Sequence, residues 1–183
     1  ISETFQLRNT NATIEQSLSR VEAIQRMCVA KNKKLVVYIS MAFGNPYGDE
    51  WHPEIAIRWT KKLSELGIEI IALADTVGVS NPENISQLFG AVIPEFPQLT
   101  IGAHLHTTPD TWKEKMTAAW QAGCRRYDHA LKGYGGCPMA ADQLTGNMPT
   151  ENVISFLMEN NIPTGIDTDH FGKAMQEAEL TFH

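Results

Sequence analysis

Residues 100–106 read Thr-Ile-Gly-Ala-His-Leu-His, a short apolar run that closes on two histidines one residue apart. On an extended strand, residues i and i+2 point to the same face, so His104 and His106 can address one point in space. Upstream, residues 69–75 (EIIALAD) repeat the plan, an apolar run closed by the carboxylate of Asp75. Residues 35–40 (LVVYIS) and 126–133 (RYDHALKG) complete four predicted strands. The last leads into a glycine-rich loop, Gly133-Tyr-Gly-Gly-Cys-Pro138, followed by Gly146-Asn147. The first three runs are rich in β-branched or apolar residues, as expected of parallel strands covered on both faces.

Helical periodicity fills the intervals. Residues 14–31 place Ile14, Leu18, Val21 and Cys28 on one face behind a Thr13…Gln16 capping box. Residues 53–66 open on Pro53, turn Ile55, Trp59, Leu63 and Leu66 inward, and stop at Gly67. A helix from Asn81-Pro82 is expected to finish before Pro94. Another spans residues 110–122, with Trp112, Met116, Ala119 and Trp120 inward, and a last pair covers 151–160 and 168–180. Strict alternation of strand and helix implies a parallel sheet with right-handed crossovers, within a single domain over residues 1–183. An open doubly wound sheet and part of a (β/α)8 barrel both fit that alternation. Three consecutive strands carry chemically capable residues at their C-terminal ends, which favours the barrel.

The bulk composition excludes several classes. With 43% hydrophobic and 20% charged residues, the chain is that of a globular protein. No run of about 18 apolar residues exists, so no membrane span is expected. A formal net charge of −6 argues against nucleic acid as a partner. The opening Ile1-Ser-Glu-Thr4 lacks the layout of a secretion signal. The missing initiator Met suggests that the chain begins part-way through a longer gene product. Three cysteines, an odd number, point to a reduced, cytoplasmic setting rather than a disulfide framework.

Two readings stand for the histidine pair: hydrogen-bonded side chains in a polar barrel mouth, or ligands of one ion. Two imidazoles plus oxygen donors suit Mg²⁺ or Mn²⁺, or Zn²⁺ in a less open site. Cys137 is either a small residue in a tight turn or a thiol able to exchange protons with a substrate, since Gly135 and Gly136 let the backbone approach a ligand. Cys28 and Cys124 read as structural. So do the four tryptophans, as core or helix–sheet contacts. Arg125 and Arg126 read as a solvated face, whereas Lys132 enters the glycine loop and could meet an anion. His129 alternates with Asp128 and carries no assignment.

Taken together, ISETF, YISMAFGNPYG, LADTVGV, HLHTT, GYGGCPMA and GNMPTE resemble the 3-hydroxy-3-methylglutaryl-CoA lyases, in order from Ile1 to about Asn160. The GxGGCP loop is the most specific piece, because HxH recurs across the wider family of metal-dependent barrel lyases and synthases. The resemblance implies a TIM (β/α)8 barrel that cleaves 3-hydroxy-3-methylglutaryl-CoA to acetoacetate and acetyl-CoA, with Mg²⁺ or Mn²⁺ as cofactor. It implies His104, His106 and Asn147 as metal ligands and Cys137 as the catalytic loop cysteine. His104 is also the candidate base, Asp75 the family's strand-end aspartate, and Glu151, with Gly135 and Gly136, the supporting groups around the substrate. An extra residue between Cys137 and Asn147, Gln143 or a neighbour, and MPTE in place of a smaller motif depart from the pattern. The early Arg-Asp strand motif and a later glutamate do not precede Ile1.

A full barrel takes roughly 250 residues, so this chain is expected to supply strands five to eight and to need the N-terminal half as its partner. Half a barrel exposes two strand edges and an inner face, and a stable, active monomer of this chain alone would contradict the expectation. The rivals are another barrel aldolase, a Claisen-type synthase joining an acyl-CoA to a 2-oxo acid, and a truncated inactive fragment that keeps metal or partner binding. Oligomeric state, a homodimer included, stays open. So do the pathway, leucine degradation or another, and a mitochondrial matrix location.

Overall fold

In the computed structural model, residues 1–136 and 145–182 are described. The elements run α1 (Glu3–Thr10), α2 (Ile14–Ala30), β1 (Val36–Ile39), α3 (Pro53–Glu65), β2 (Ile70–Ala74), α4 (Pro82–Glu95), β3 (Thr100–His104), β4 (His106–Thr107), α5 (Trp112–Gln121), β5 (Arg126–Asp128), a 3₁₀ turn (Leu131–Gly133), β6 (Gly146–Asn147), α6 (Thr150–Glu159) and α7 (Thr168–Thr181). Strands β1, β2, β3 and β5 form one parallel sheet in that order. This is half of a (β/α)8 barrel, with β1 and β5 as its outer strands. Among the described residues no helix is long and apolar enough to cross a membrane.

The outer face of the sheet carries the core. Ile71, Leu73, Ile85, Leu88, Phe89, Val92, Met116 and Ala119 are fully enclosed between the strands and α4 and α5. Burying a side chain of this size contributes about 1.5–3 kcal/mol, and this layer holds the strands in register. The helices obey their local signals. Thr13 and Gln16 form the capping box, Asn81 caps α4 with Pro82 behind it, and Gly67 follows α3 with φ +79°.

The inner face is built differently. Register places Tyr38, Ala72, Gly102 and Arg126 in one row, and Ala74, His104 and Asp128 in the row above. Small residues on β2 and β3 leave room there. A Cβ on Gly102 would stand 2.8 Å from Arg126 Nη1.

Three expectations change. The strand predicted to continue through His106 stops at His104, and His106–Thr107 turns away to pair antiparallel with Gly146–Asn147. Leu105 at the break is buried in the core, which anchors the bend. Residues 126–133 hold a strand of only three residues, Arg126–Asp128; beyond it Ala130 bridges to Pro149, and Lys132 (φ +54°) and Gly133 (φ +67°) take left-handed geometry. Helix α4 passes through Pro94 to Glu95. Proline in the last turn removes an N–H whose loss costs little when the helix ends at once. Helix α1 carries no sequence expectation and is added by Ser2, whose hydroxyl caps the Phe5 N–H.

Candidate functional site

The Leu105-centred bend puts the two histidines where they are. All three carbonyls of His104-Leu-His106 are held from different elements. Asp75 N–H donates to His104 O at 2.9 Å, Met148 N–H to Leu105 O at 3.2 Å, and Lys115 Nζ to His106 O at 2.8 Å. A backbone pinned three times leaves the imidazoles little freedom. Their ring centroids lie 5.3 Å apart at an interplanar angle of 72°, and the Tyr38 ring approaches His104 edge-on at 5.4 Å.

Burial, followed by the neighbouring His106, lowers the His104 pKa, against the opposing pull of Asp128. Burial thereby favours the neutral ring, the state a metal ligand or a base requires. Nδ1 of both histidines is buried and has no hydrogen-bond partner among the described residues. Across the ribbon, Asn147 pairs in register with His106. Its Nδ2 donates to Tyr134 O at 2.9 Å, which commits the nitrogen and leaves the amide oxygen as the donor to an ion.

The loop that leads to Cys137 is folded against the same ribbon. Gly133 takes φ +67°, and a Cβ there would fall 2.8 Å from Asn147 O. Gly135 and Gly136 are equally close, with hypothetical Cβ atoms 3.0 Å from Asn147 Nδ2 and 3.1 Å from Thr145 O. Glu151 accepts from the Lys132 N–H at 3.0 Å, so it props the start of the loop. Lys132 Nζ bridges to Glu179 on α7 at 2.8 Å. Cys137 itself lies outside the described residues, as does Gln143.

Asp75 is placed elsewhere than a catalytic group would be. It continues the outward alternation of Ile71 and Leu73, so its carboxylate enters the sheet–helix layer with a side-chain exposure of 0%. There it accepts from the Ser80 backbone and hydroxyl and from Lys115 Nζ. His104, His106 and Asn147 are brought together, whereas Asp75 is a brace behind them.

Sequence reasoning missed the inner cluster of Tyr38, Arg126 and Asp128. Asp128 Oδ2 is buried without a hydrogen-bond partner among the described residues and lies 3.7 Å from His104 Nδ1. Arg126 Nη1 stands 2.9 Å from Asp128 Oδ1, so this arginine belongs to the barrel interior and not to a solvated face. Burial and then the hydrogen bond to Asp128 raise the Tyr38 pKa. The available signal was the i, i+2 spacing of Arg126 and Asp128 on one strand. His129, also left unassigned, contacts the Thr150 hydroxyl at 2.8 Å. Cys124 is structural as expected, its thiol pushed up to about 11 by burial. Trp59, Trp112 and Trp120 pack against the core.

The donor set fits a divalent cation in part. Two imidazoles and an amide oxygen suit such an ion. No three His, Cys, Asp or Glu side chains gather to hold one among the described residues, so further ligands would have to come from beyond this set.

A family model described as HMGL-like matches residues 1–177. The chain belongs to that family. HMGL-like relatives include the cytoplasmic 3-hydroxy-3-methylglutaryl-CoA lyase of Danio rerio, 34% identical over 91% of this chain and 49% of its own length. The mitochondrial hydroxymethylglutaryl-CoA lyase of Homo sapiens is 33% identical over 91% of this chain and 51% of its own length. A solved hydroxymethylglutaryl-CoA lyase from Pseudomonas aeruginosa superposes with a TM-score of 0.88 at 29% identity, covering 100% of this chain and 61% of that one. The chain therefore spans about half the length of the curated relatives it matches. These HMGL-like relatives occupy both the cytoplasm and the mitochondrion.

Proposed function

We propose that the protein to which this chain contributes cleaves 3-hydroxy-3-methylglutaryl-CoA into acetoacetate and acetyl-CoA. The observation that carries the reading is the pair of adjacent imidazoles whose buried Nδ1 atoms have no hydrogen-bond partner among the described residues, with Asn147 paired in register to His106 beside the glycine loop of residues 133–136. His104, His106 and Asn147 would hold a divalent cation, Mg²⁺ or Mn²⁺. When bound, that cation would supply Lewis-acid polarisation of the substrate hydroxyl and an acyl-side oxygen.

The residues of the chain do the rest. The pinned HLH backbone fixes the geometry, which lowers the barrier by orientation. The substrate hydroxyl loses its proton to a base, for which neutral His104 is the candidate. The carbon–carbon bond then breaks with its electron pair passing to the acetyl-CoA carbon. That carbon takes up a proton, and the Cys137 thiol is the donor candidate. Glu151 and the loop glycines set where Cys137 arrives. The isolated 183-residue chain is expected to be inactive, because the described residues supply only part of a metal site.

The test is acetyl-CoA release by the full gene product with Mg²⁺, with chelator, and with Cys137→Ala. Metal-dependent cleavage that collapses in the variant is expected. An intact, metal-loaded protein that releases nothing, yet condenses an acyl-CoA with a 2-oxo acid, would instead establish the synthase chemistry.

A further inference from the structure

Lys115 is the one lysine among the described residues that is buried, at 4% exposure, and its position in the fold is specific. It sits on α5 within the stripe 112, 115, 116, 119 and 120 that faces the sheet, the polar member of an otherwise apolar row. Its ammonium reaches the C-terminal end of the sheet and makes two contacts, Asp75 Oδ2 at 3.3 Å and His106 O at 2.8 Å. Asp75 in turn is tied to the Ser80 backbone and hydroxyl, and its own N–H holds His104 O.

A buried ion pair by itself is a poor source of stability, since two charges must be stripped of water. An apolar residue in the same stripe would fill this space at lower cost. What the charge adds is a strong, directed hydrogen bond to one carbonyl, that of His106. Residue 106 lies beyond the end of β3, where no parallel ladder bond holds it, and the antiparallel ribbon spans only two residue pairs. Without Lys115, the His106 carbonyl would be left without its side-chain partner, and the placement of residue 106 would rest on the short ribbon alone.

We infer that Lys115, held by Asp75, is a positioning residue for the metal site, fixing the His106 backbone so that its imidazole stays beside that of His104. This rests on the reading of His104 and His106 as metal ligands. Outer-shell groups that orient ligands typically control metal affinity by about 10–100-fold. The effect expected here is about 10-fold, because the contact is to backbone and not to the ring.

The experiment measures Mn²⁺ binding to the full gene product by loss of the free-ion paramagnetic resonance signal, alongside thermal unfolding without metal and steady-state kinetics at saturating Mn²⁺. Lys115→Met should weaken Mn²⁺ binding about 10-fold, and raising the metal concentration should restore much of kcat with KM for substrate little changed. Should that variant fail to fold, Lys115→Met combined with Asp75→Asn removes the orphaned carboxylate and should fold while showing the same weakened Mn²⁺ binding. A folded single or double variant that binds Mn²⁺ as the parent does would overturn the inference and leave the metal-site reading intact. A parent protein that binds no Mn²⁺ would overturn both.

Discussion

The two sides of the sheet at its C-terminal end treat buried polar groups in opposite ways. On the outer side Asp75 is wholly enclosed, yet Ser80 and Lys115 meet its carboxylate and Lys115 also meets His106 O. On the inner side His104 Nδ1, His106 Nδ1 and Asp128 Oδ2 are buried with no hydrogen-bond partner among the described residues. A buried polar group left unsatisfied costs about 1–3 kcal/mol, so a fold keeps several together only where something else uses them. The completed network braces the scaffold, and the incomplete one lies where the proposed cation would be received. Only a strand's thickness separates the two.

That contrast can be broken by mutation of the full gene product. The largest effect on activity is expected for His104→Ala, about 10²–10⁴-fold in kcat if the ring acts as base, with thermal unfolding of the metal-free protein nearly unchanged. A large loss of stability there would mean that the inner side is structural too. Asp75→Ala should act on stability, lowering unfolding free energy by about 3–5 kcal/mol by leaving Lys115 buried and unpaired, as read in a denaturant titration. A parent-like midpoint would show that the outer network carries no structural weight.

Asp128→Asn sharpens the comparison from within the inner side. Its Oδ2 faces His104 Nδ1 at 3.7 Å, so neutralising it should weaken metal binding by about 10–100-fold, with a smaller fall in melting temperature than Asp75→Ala because its ion-pair partner Arg126 is partly exposed. Calorimetric titration with Mn²⁺ checks this. The smallest effect concerns Cys124, whose thiol burial raises to about 11. The thiolate is therefore scarce at pH 8 and gains ground only as pH rises toward that value. Alkylation at pH 8 should leave Cys124 unmodified in the native protein and label it after unfolding, as mass spectrometry would record.

Much of this was legible from the chain itself. The alternation of strand and helix, the capping box at Thr13, the proline start at Pro53 and the HLH spacing are local patterns, and each reappears in the structure. Helix α5 shows where legibility stops. Its apolar members Met116 and Ala119 were readable, but Lys115 in the same stripe carried no sequence expectation. Its burial depends on Asp75 arriving from β2 and His106 from the far side of a bend, partners 40 and 9 residues away in sequence. Arg126 was misjudged for a related reason, since its room in the barrel is created by Gly102 on the neighbouring strand.

Period-2 alternation states which residues share a face, and by itself it determined that His104 goes with Gly102 and that Asp75 goes with Leu73 and Ile71. It does not state which face looks into the barrel. That was decided by the packing of α4 and α5 against the Ile71–Leu73 side, which consigned Asp75 to the sheet–helix layer and gave the opposite face to His104 and Asp128. Sequence supplied the chemical groups because residue type and spacing are local. Tertiary structure assigned their roles, because whether a buried charge finds a partner is settled only when distant strands and helices meet.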